Sequence, residues 1–538
     1  MATVTPPAVV PPPLAPGRQR RRPKPALWVL AIAVTLPGAA PIAHLLWTVV
    51  RPGGIDAGGI SASRLVQLFA STGLLVVTVT ATALVLGTAT AWLTTRTNLA
   101  GRGVWSMLVS LPLVIPSYVG ALGMLGSSGN AGVVSVALDA IGLPKLGVFS
   151  GFWAAWGALS LWNFSYVHLI TTPALSRMDP TLEEASRGLG ASSRRTFVDV
   201  VLPQLRPALL SSSLLVGLYV ISDFGAVSLL RYETFTRAIY TQFRGRLDLS
   251  PALFLSGILV MAALVLVIVE QRNRGRAPLG SRRATRPPGH VVLGGSPRIA
   301  AYGFLTALVT ASLVLPLVTL GSWTVQGLSL GNAFGSVWAE ASRSAGVALA
   351  AAVITAVAAL PVAILTVRHP GRLSRALEAI SWSTYSLPHL AVGLGFLVLS
   401  LRYARGVYQT VALLVIAYVA MFLPQALSAT QAGLRQVGTN LEDASRSLGS
   451  GGLATLARVT IPLVWRSLLA GGALVFLTVM KELPATLMLR PTGFETLAVR
   501  IWSASSELFY TQASVAALVL VGISAVPLYL LVTRDLHR

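Results

Sequence analysis

Runs of about 20 consecutive apolar residues recur along almost the whole of this 538-residue chain. As an α-helix, a run of that length spans the ~30 Å hydrocarbon core of a bilayer. The runs lack the alternation of polar and apolar residues that the strands of a membrane barrel need. With 54% hydrophobic and 11% charged residues, the composition also differs from that of soluble globular proteins. The sequence therefore predicts an all-α polytopic membrane protein.

We predict twelve transmembrane helices, arranged as two groups of six on either side of a basic segment. The first six are Leu27 to Val49, Thr72 to Leu93, Val104 to Leu125, Val148 to Ile170, Ala208 to Leu230 and Ala252 to Glu270. The second six are Ala300 to Leu320, Ala345 to Val367, Ile380 to Leu401, Val407 to Ala429, Leu468 to Leu489 and Gln512 to Val532. The predicted domains are a Pro-rich basic cytoplasmic tail (1–26), a first domain (27–270), a basic cytoplasmic linker (271–299), a second domain (300–533) and a cytoplasmic tail (534–538).

The net charge of +23 lies mostly in short segments between the predicted spans. Basic residues cluster before the first span and in the linker, which is the pattern of cytoplasmic loops in membrane proteins. We therefore expect cytoplasmic termini, a lipid bilayer around the chain and no nucleic-acid partner. One loop departs from this rule, because it lies outside and is basic. Its arginines are Arg231, Arg237, Arg244 and Arg246.

An internal repeat relates the two groups of spans. Residues 181–190 read TLEEASRGLG and residues 440–449 read NLEDASRSLG, so seven of ten positions are identical. The same spacing relates Pro203 to Pro462 and Asp223 to Glu482. An even number of spans in each half makes this a parallel repeat, with the substrate path expected between the halves.

Each repeated segment reads as a short helix, a corner and a second helix on the inner side. Asp179 before Pro180 in one copy, and Thr439 with Glu442 in the other, are helix-start signals, while Gly190 and Gly449 suit a left-handed residue that ends a helix. Leucines and an alanine share one face of the short helix. An acidic start and an apolar stripe at the membrane surface suit docking into a groove of a separate protein.

These residues resemble the EAA motif of the permease family of ABC importers. The resemblance implies two EAA loops (171–206 and 430–466) and the type I importer fold, in which the short coupling helices insert into two ATPase subunits. Ser186 and Val200 depart from the motif in the first copy, and Ser445 and Val459 in the second. The implied coupling residues are Glu184, Ala185, Gly190, Leu202, Pro203, Asp443, Ala444, Gly449, Ile461 and Pro462.

ATP and Mg are expected on the partner subunits, because this chain lacks a phosphate-binding loop. Such a loop needs Gly-Lys-Ser/Thr, and the three lysines, Lys24, Lys145 and Lys481, follow Pro, Pro and Met. The chain is therefore predicted to be a transporter subunit that is not an enzyme and holds no cofactor. The absence of cysteine excludes thiol chemistry.

Polar residues follow each coupling loop inside the membrane: Asp223 in the first half, and Lys481 with Glu482 in the second. Ionisable groups in spans are costly and point to function, so lining of the substrate path is one interpretation. The alternatives are a Lys481–Glu482 ion pair and a position of Asp223 near the outer surface with Arg231. His168 and His389 are predicted to serve in packing.

The substrate class is suggested by a further resemblance. Residues 221–240 and 481–502, with the fused layout, resemble ferric-iron permeases, and thiamine, polyamine and phosphonate permeases have similar sequences. The resemblance implies an extracytoplasmic binding protein that captures the metal, so we expect no metal site in this chain. The outer arginines would then dock that protein, or be a solvated loop. An ion-coupled secondary transporter and a membrane-embedded enzyme are the other classes considered.

Overall fold

A computed structural model describes residues 23–50, 59–245, 248–274, 289–331 and 336–536. Over these ranges the regular structure is helical, apart from one isolated parallel bridge between Thr97 and Val291. The predicted all-α class is therefore confirmed. Arg246, one of the outer arginines, lies outside the described residues.

The helices of each half are numbered here in chain order. The first half contains α1 (Pro25–Val50), α2 (Ala62–Arg96), α3 (Arg102–Ser110), α4 (Ser117–Ser127), α5 (Val133–Ala140), α6 (Gly151–Ser176), α7 (Thr181–Gly188), α8 (Ser193–Thr196), α9 (Leu202–Ser222), α10 (Gly225–Leu229), α11 (Phe235–Gly245) and α12 (Ser250–Arg274). The second contains α13 (Gly295–Val309), α14 (Leu315–Ser329), α15 (Ser336–Arg368), α16 (Arg372–Ser386), α17 (His389–Tyr403), α18 (Val411–Gln436), α19 (Asn440–Ser447), α20 (Gly452–Thr455), α21 (Ile461–Met480), α22 (Pro484–Leu489), α23 (Leu497–Ser506) and α24 (Tyr510–Leu536). Short 3₁₀ or π turns are Leu111–Val114, Phe197–Val201, Thr310–Val314, Arg405–Val407 and Leu456–Thr460.

Eight helices in the described part of the chain are long and apolar enough to cross a membrane, or ten when two sharply bent helix pairs each count as one span. The π turns do not interrupt these helices, so α8–α9, α13–α14 and α20–α21 each run through. The two other predicted spans coincide with α6 and α24. The chain is a multi-pass membrane protein, and the count of twelve stays a prediction.

Two predicted spans are broken rather than continuous. The third predicted span bends by 96° between Leu111–Val114 and α4, and the ninth bends by 108° between α16 and α17. Each bend lies at a proline, Pro116 or Pro388, which has no N–H to donate. The residue before it, Ile115 or Leu387, is extended, because proline excludes the helical conformation there.

The fifth and eleventh predicted spans also end earlier than expected. α9 stops at Ser222 and α21 at Met480, and a separate short helix, α10 or α22, follows each of them. Asp223 and Glu482 occupy the two interruptions. The predicted spans 208–230 and 468–489 therefore joined two helices that the structure separates at an acidic residue.

The first helix of each half packs against the broken span of the other half. α1 lies against α16 and α17, and α14 lies against α4. Glycines permit this approach: a Cβ atom on Gly123 would meet Pro316 at 2.6 Å, and one on Gly395 would meet Pro41 at 2.8 Å. The two halves are thus interlocked rather than merely side by side.

Candidate coupling loops and translocation path

Two short helices, α7 and α19, lie at equivalent positions in the two repeated loops. In α7, the Thr181 N–H donates to Asp179 Oδ1 at 3.0 Å, in agreement with the predicted start. Gly190 has φ = +81° and Gly449 has φ = +87°, which confirms the predicted left-handed residue after each helix. α19 begins directly after Thr439, as the predicted start signal requires, although the Thr439 side chain makes no capping hydrogen bond.

The apolar stripe on these two helices faces away from the rest of the chain. Leu182 and Leu189 are 56% and 90% accessible, and their counterparts Leu441 and Leu448 are 56% and 87% accessible. Ala185 and Ala444 are exposed beside them. Four accessible leucines on two matched helices are a surface suited to an apolar groove of another protein.

The opposite side of each short helix carries a buried acid that sequence reasoning missed. Arg96, at the end of α2, donates to both carboxylate oxygens of Glu183 at 2.6 Å, and the two side chains are 2% and 5% accessible. In the second half Arg368, at the end of α15, pairs with Glu442 at 3.0 Å. The only hint in the sequence was that this acid is Glu in both copies, whereas the next position changes from Glu184 to Asp443.

Each of these arginines also binds the end of a third helix. Arg96 Nη1 lies 3.5 Å from the Leu175 carbonyl oxygen in α6, and Arg368 Nη2 donates to the Val437 carbonyl oxygen at 2.9 Å. Burial, followed by the positive charge of Arg446, lowers the pKa of the neighbouring His369. The histidine therefore adds no positive charge to this cluster at neutral pH.

The serine that departs from the EAA motif has the same contact in both loops. Ser186 lies 3.2 Å from Thr196 between their hydroxyl oxygens, and Ser445 lies 3.2 Å from Thr455. These contacts tie each coupling helix to the helix that re-enters the membrane. The serine thus contributes a hydrogen bond that an alanine lacks.

The Leu-Pro and Ile-Pro ends of the motif open the next long helix. Leu202 and Pro203 begin α9, and Ile461 and Pro462 begin α21. A π turn precedes each pair, over Phe197–Val201 and Leu456–Thr460. Since proline cannot donate to the preceding turn, the wider turn allows the helix to pass it without a break.

Asp223 and Glu482 cap the short helices that follow the interrupted spans. Asp223 Oδ1 accepts the N–H of Ala226 at 3.0 Å, and Glu482 Oε1 accepts the N–H of Ala485 at 3.0 Å. The hydroxyl of Ser117 donates to the other oxygen of Asp223, and the ion pairs among the described residues do not include Asp223 with Arg231. Whether Asp223 lies near the outer surface stays a prediction.

The partner of Glu482 is His389, which the sequence predicted only to pack. His389 Nδ1 lies 2.9 Å from Glu482 Oε2. His389 follows Pro388 as Ser117 follows Pro116, so in each half the residue after the broken span's proline contacts the acid. In each half, one polar contact thus connects the bend of the broken span with the end of the interrupted span.

Lys481 links the two halves instead of pairing with Glu482. Its Nζ donates to the Leu113 carbonyl oxygen at 3.0 Å, and its own carbonyl oxygen lies 3.5 Å from the Tyr118 hydroxyl. Leu113 and Tyr118 belong to the broken span of the first half. Lys481, one of the residues predicted for the path, thus lies where the halves meet.

Two segments of the chain, residues 83–269 and 357–534, match the family described as the binding-protein-dependent transport system inner membrane component. Together they cover more than half of the chain. This chain belongs to that family. Each match contains one coupling loop and one interrupted span, so the two halves are two copies of the family's domain.

Curated relatives include transport permeases of bacteria. An Fe(3+)-transport system permease protein of Haemophilus influenzae is 31% identical over 95% of this chain and 98% of its own length. A ferric transport system permease protein of Actinobacillus pleuropneumoniae is 27% identical over 75% of this chain and 62% of its own length. A sulfate transport system permease protein of Salmonella typhimurium is 29% identical over 27% of this chain and 50% of its own. The predicted resemblance to fused importer permeases is confirmed, which decides against the secondary transporter.

The arginines predicted to lie outside have separate environments in this permease. Arg231 is exposed and has φ = +57°, Arg237 lies 3.5 Å from Glu233, and Arg244 stands over the ring of Tyr240 at 6.0 Å. Glu233 also pairs with Arg64 at 2.7 Å. The basic loop is therefore partly neutralised by its own acid.

Three aromatic rings meet next to the interruptions of the spans. Phe224 lies 4.6 Å from Tyr240 and 4.7 Å from Trp502 between ring centroids. Trp502 Nε1 donates to the Tyr240 hydroxyl at 3.3 Å, and this bond joins the halves. Phe224 is 1% and Trp502 7% accessible, so the rings form a closed contact between the halves of the permease.

This permease has few of the side chains that commonly bind metal ions, namely carboxylates, histidine and cysteine. Among the described residues, no three such side chains lie close enough together to hold a metal ion. His168 contacts Ser106 and Thr90, each at 3.1 Å, within the first half. Its place in a hydrogen-bonded contact between α6 and α2 is compatible with the packing role predicted for it.

Proposed function

We propose that this permease subunit imports ferric iron across the bacterial cytoplasmic membrane, coupled to ATP hydrolysis on separate subunits. The observation that carries the coupling role is the pair of matched helices, α7 and α19, with exposed leucines on one side and buried ion pairs on the other. Ferric iron is supported by the Haemophilus relative, whose name states Fe(3+) transport and which matches over nearly the full chain.

The topology that accompanies this proposal has six spans in each half. In the first half they are α1, α2, α3 with α4, α6, α8 with α9, and α12. In the second they are α13 with α14, α15, α16 with α17, α18, α20 with α21, and α24. Both termini, the linker and the coupling loops are then cytoplasmic, as the basic segments of the sequence favour.

Two copies of an ABC ATPase subunit are the proposed cytoplasmic partners, one for each short helix. ATP and Mg bind to those subunits, while this chain supplies Leu182 and Leu189, with Leu441 and Leu448, as the docking surface. Glu184 and Asp443 stand at equivalent exposed positions and differ by one methylene group. The two docking contacts are therefore proposed to be unequal.

Each docked helix is proposed to pass its displacement to the spans through fixed contacts. Glu183 connects α7 to α2 through Arg96, and Ser186 connects it to Thr196 at the start of the re-entering helix. A buried, charge-assisted contact of this kind resists bending more than a flexible surface contact does. A shift of α7 would thus move the ends of α2 and α9 together.

The substrate path is proposed to run between the halves, past Asp223, Lys481 and Glu482. The aromatic contact of Phe224, Tyr240 and Trp502 would close its outer end. An extracytoplasmic binding protein would deliver the metal above this contact. Arg231 and Arg244, with Arg237 and Arg246 in the same loop, are the candidate docking residues for an acidic surface of that protein.

The decisive test is reconstitution of the full chain with its ATPase subunit and binding protein in proteoliposomes. We expect two ATPase subunits per chain and uptake of radioactive ferric iron that requires both ATP and the binding protein. Full uptake by the chain alone would contradict the proposal. Uptake of thiamine, a polyamine, a phosphonate or sulfate instead of iron would retain the coupling role and reject the substrate.

A further inference from the structure

A group of polar side chains in the spanning helices belongs to neither the coupling loops nor the helix interruptions. The group, called here the tyrosine cluster, draws one residue from each of five helices: α6, α9, α16, α18 and α21. Its members are Tyr166, Tyr219, Tyr385, Gln425 and Thr478. Polar groups inside a membrane are costly, so three phenols in one place call for an explanation.

The cluster is a continuous set of contacts across the boundary between the halves. The rings of Tyr166 and Tyr219 lie 4.6 Å apart, and Tyr219 lies close enough to Tyr385 for their side chains to interact. Tyr385 belongs to the second half, where its hydroxyl accepts from Gln425 Nε2 at 3.2 Å. Thr478 donates to Gln425 Oε1 at 3.1 Å and completes the set.

The internal repeat relates the two sides of this cluster. The spacing that relates the two coupling loops (181 to 440) also relates Tyr166 to Gln425 and Tyr219 to Thr478. The cluster is therefore assembled from equivalent positions that face each other, and Tyr385 lies between them. In transporters built from repeats, the interface between the repeats is where the substrate binds.

The cluster is partly accessible, whereas the aromatic contact above it is closed. Tyr219 is 38% accessible, and Tyr166 and Tyr385 are partly accessible. By contrast, Phe224 is 1% accessible and follows Tyr219 by little more than one helical turn. The partly accessible phenols thus lie beneath the closed aromatic contact, which is where a substrate in transit would be held.

We propose that the tyrosine cluster is a transient binding site for ferric iron, an inference that rests on the proposed import of ferric iron. Phenolate is a hard, anionic oxygen donor of the kind that a small trivalent cation prefers. Binding forms an iron–oxygen bond at each phenolate as the phenol O–H bond breaks, and each proton leaves to water. The iron stays trivalent, so no electron donor is needed.

A site in a transport path must release what it binds. Lys481 lies one helical turn beyond Thr478, and its ammonium group is held by the Leu113 carbonyl oxygen at 3.0 Å. Its positive charge opposes a bare cation beside it. The phenols attract the metal and the lysine weakens its binding, a combination suited to brief occupation.

The test uses the full chain, purified with its ATPase subunits in lipid nanodiscs and titrated with ferric nitrilotriacetate. Iron bound by phenolate gives a visible charge-transfer absorption band and characteristic phenolate vibrations in the resonance Raman spectrum. We expect both in the parent chain. Tyr219→Phe and Tyr385→Phe should lower the affinity about tenfold or more, since even the outer partners of metal ligands contribute that much.

The matched control is Tyr302→Phe, because among the described residues the Tyr302 hydroxyl bonds only to the backbone of Ala100, between α2 and α3. Its band should equal that of the parent, and retained binding of the ATPase subunits reports folding of every variant. A parent chain without the band, or a band that survives in Tyr219→Phe and Tyr385→Phe, would overturn the site.

Iron uptake in proteoliposomes separates this result from a failure of the proposed function. Uptake of iron by the parent without a phenolate band would remove the tyrosine site and leave ferric import standing. A band that depends on Tyr219, with no iron uptake under any condition, would reject ferric import and with it the role of the cluster in transit. Loss of both band and uptake in the Phe variants is the expected result.

Discussion

Arg96 donates to both carboxylate oxygens of Glu183 at 2.6 Å, and both side chains are almost completely buried. The same pair recurs as Arg368 and Glu442 at 3.0 Å. In each half the arginine ends a long membrane helix and the acid lies in a short helix, α7 or α19. The pair is thus a fixed connection between the surface proposed to meet the ATPase and the spans.

We expect Arg96→Ala to impair both folding and coupling. It leaves the Glu183 carboxylate buried without its main partner, which destabilises a protein by about 3–5 kcal/mol. Glu183→Gln keeps the shape and removes the charge, so the chain should fold while iron uptake falls and ATP hydrolysis continues. The measurement is the ratio of iron imported to ATP hydrolysed in proteoliposomes.

The control for this prediction is Asp199→Asn, which changes an acid of the same loop that pairs with Arg195 on the exposed surface. Exposed pairs of this kind contribute about 0–1 kcal/mol, so its uptake ratio should match the parent. An unchanged ratio in Glu183→Gln would show that the ion pair holds the loop without transmitting movement.

Much of the coupling loop could be predicted from local sequence. Gly190 and Gly449 end short helices because only a left-handed residue allows the corner, and that requirement is readable from the glycine and its spacing. The exposed stripe follows from helical periodicity at Leu182 and Leu189. The burial of Glu183 could not be predicted in this way, since its partner Arg96 lies 87 residues earlier in the chain.

The interruptions of the spans were also hidden from the sequence. A hydropathy window runs through Pro116 without a signal, because the residues on both sides are apolar, while the chain bends there by 96°. Asp223 was visible as a charge in a span, yet its role as a cap depends on where the helix ends. The contacts between halves, such as Lys481 with Leu113, needed the three-dimensional structure.

We expect Leu189→Gln to weaken docking of one ATPase subunit without affecting the fold. Leu189 is 90% accessible, so the substitution removes little packing within the chain. Combined with Leu448→Gln, it should abolish co-purification of the ATPase subunit. The measurement is the ATPase-to-permease ratio after affinity purification.

Val325→Gln is the control for the docking prediction, because Val325 is 66% accessible but lies in the spanning helix α14. Its ATPase ratio should equal that of the parent. A normal ratio in the double leucine variant would remove the docking surface that we propose.

Substitutions of Asp223 can distinguish its role as a helix cap from an action of its charge on the substrate. Asn caps helices about as well as Asp, whereas Ala loses about 1 kcal/mol at such a position. If the carboxylate acts on the substrate, Asp223→Asn should reduce iron uptake while the thermal stability of the purified chain is retained. Asp223→Ala should lower both, and full uptake by Asp223→Asn would limit this residue to its structural role.

We expect Trp502→Ala to open the outer end of the path. The substitution removes the ring contact with Phe224 at 4.7 Å and the hydrogen bond to the Tyr240 hydroxyl at 3.3 Å, which together join the halves. Since the chain has no cysteine, a single Ser222→Cys introduced just beneath the rings can be labelled selectively. A membrane-impermeant maleimide added outside should label this cysteine only when Trp502 is also replaced.

Trp153→Ala, at a tryptophan that is 74% accessible, is the control and should leave the introduced cysteine protected. Protection that persists in Trp502→Ala would show that another part of the chain closes the path, and equal labelling in all three would show that the path is open.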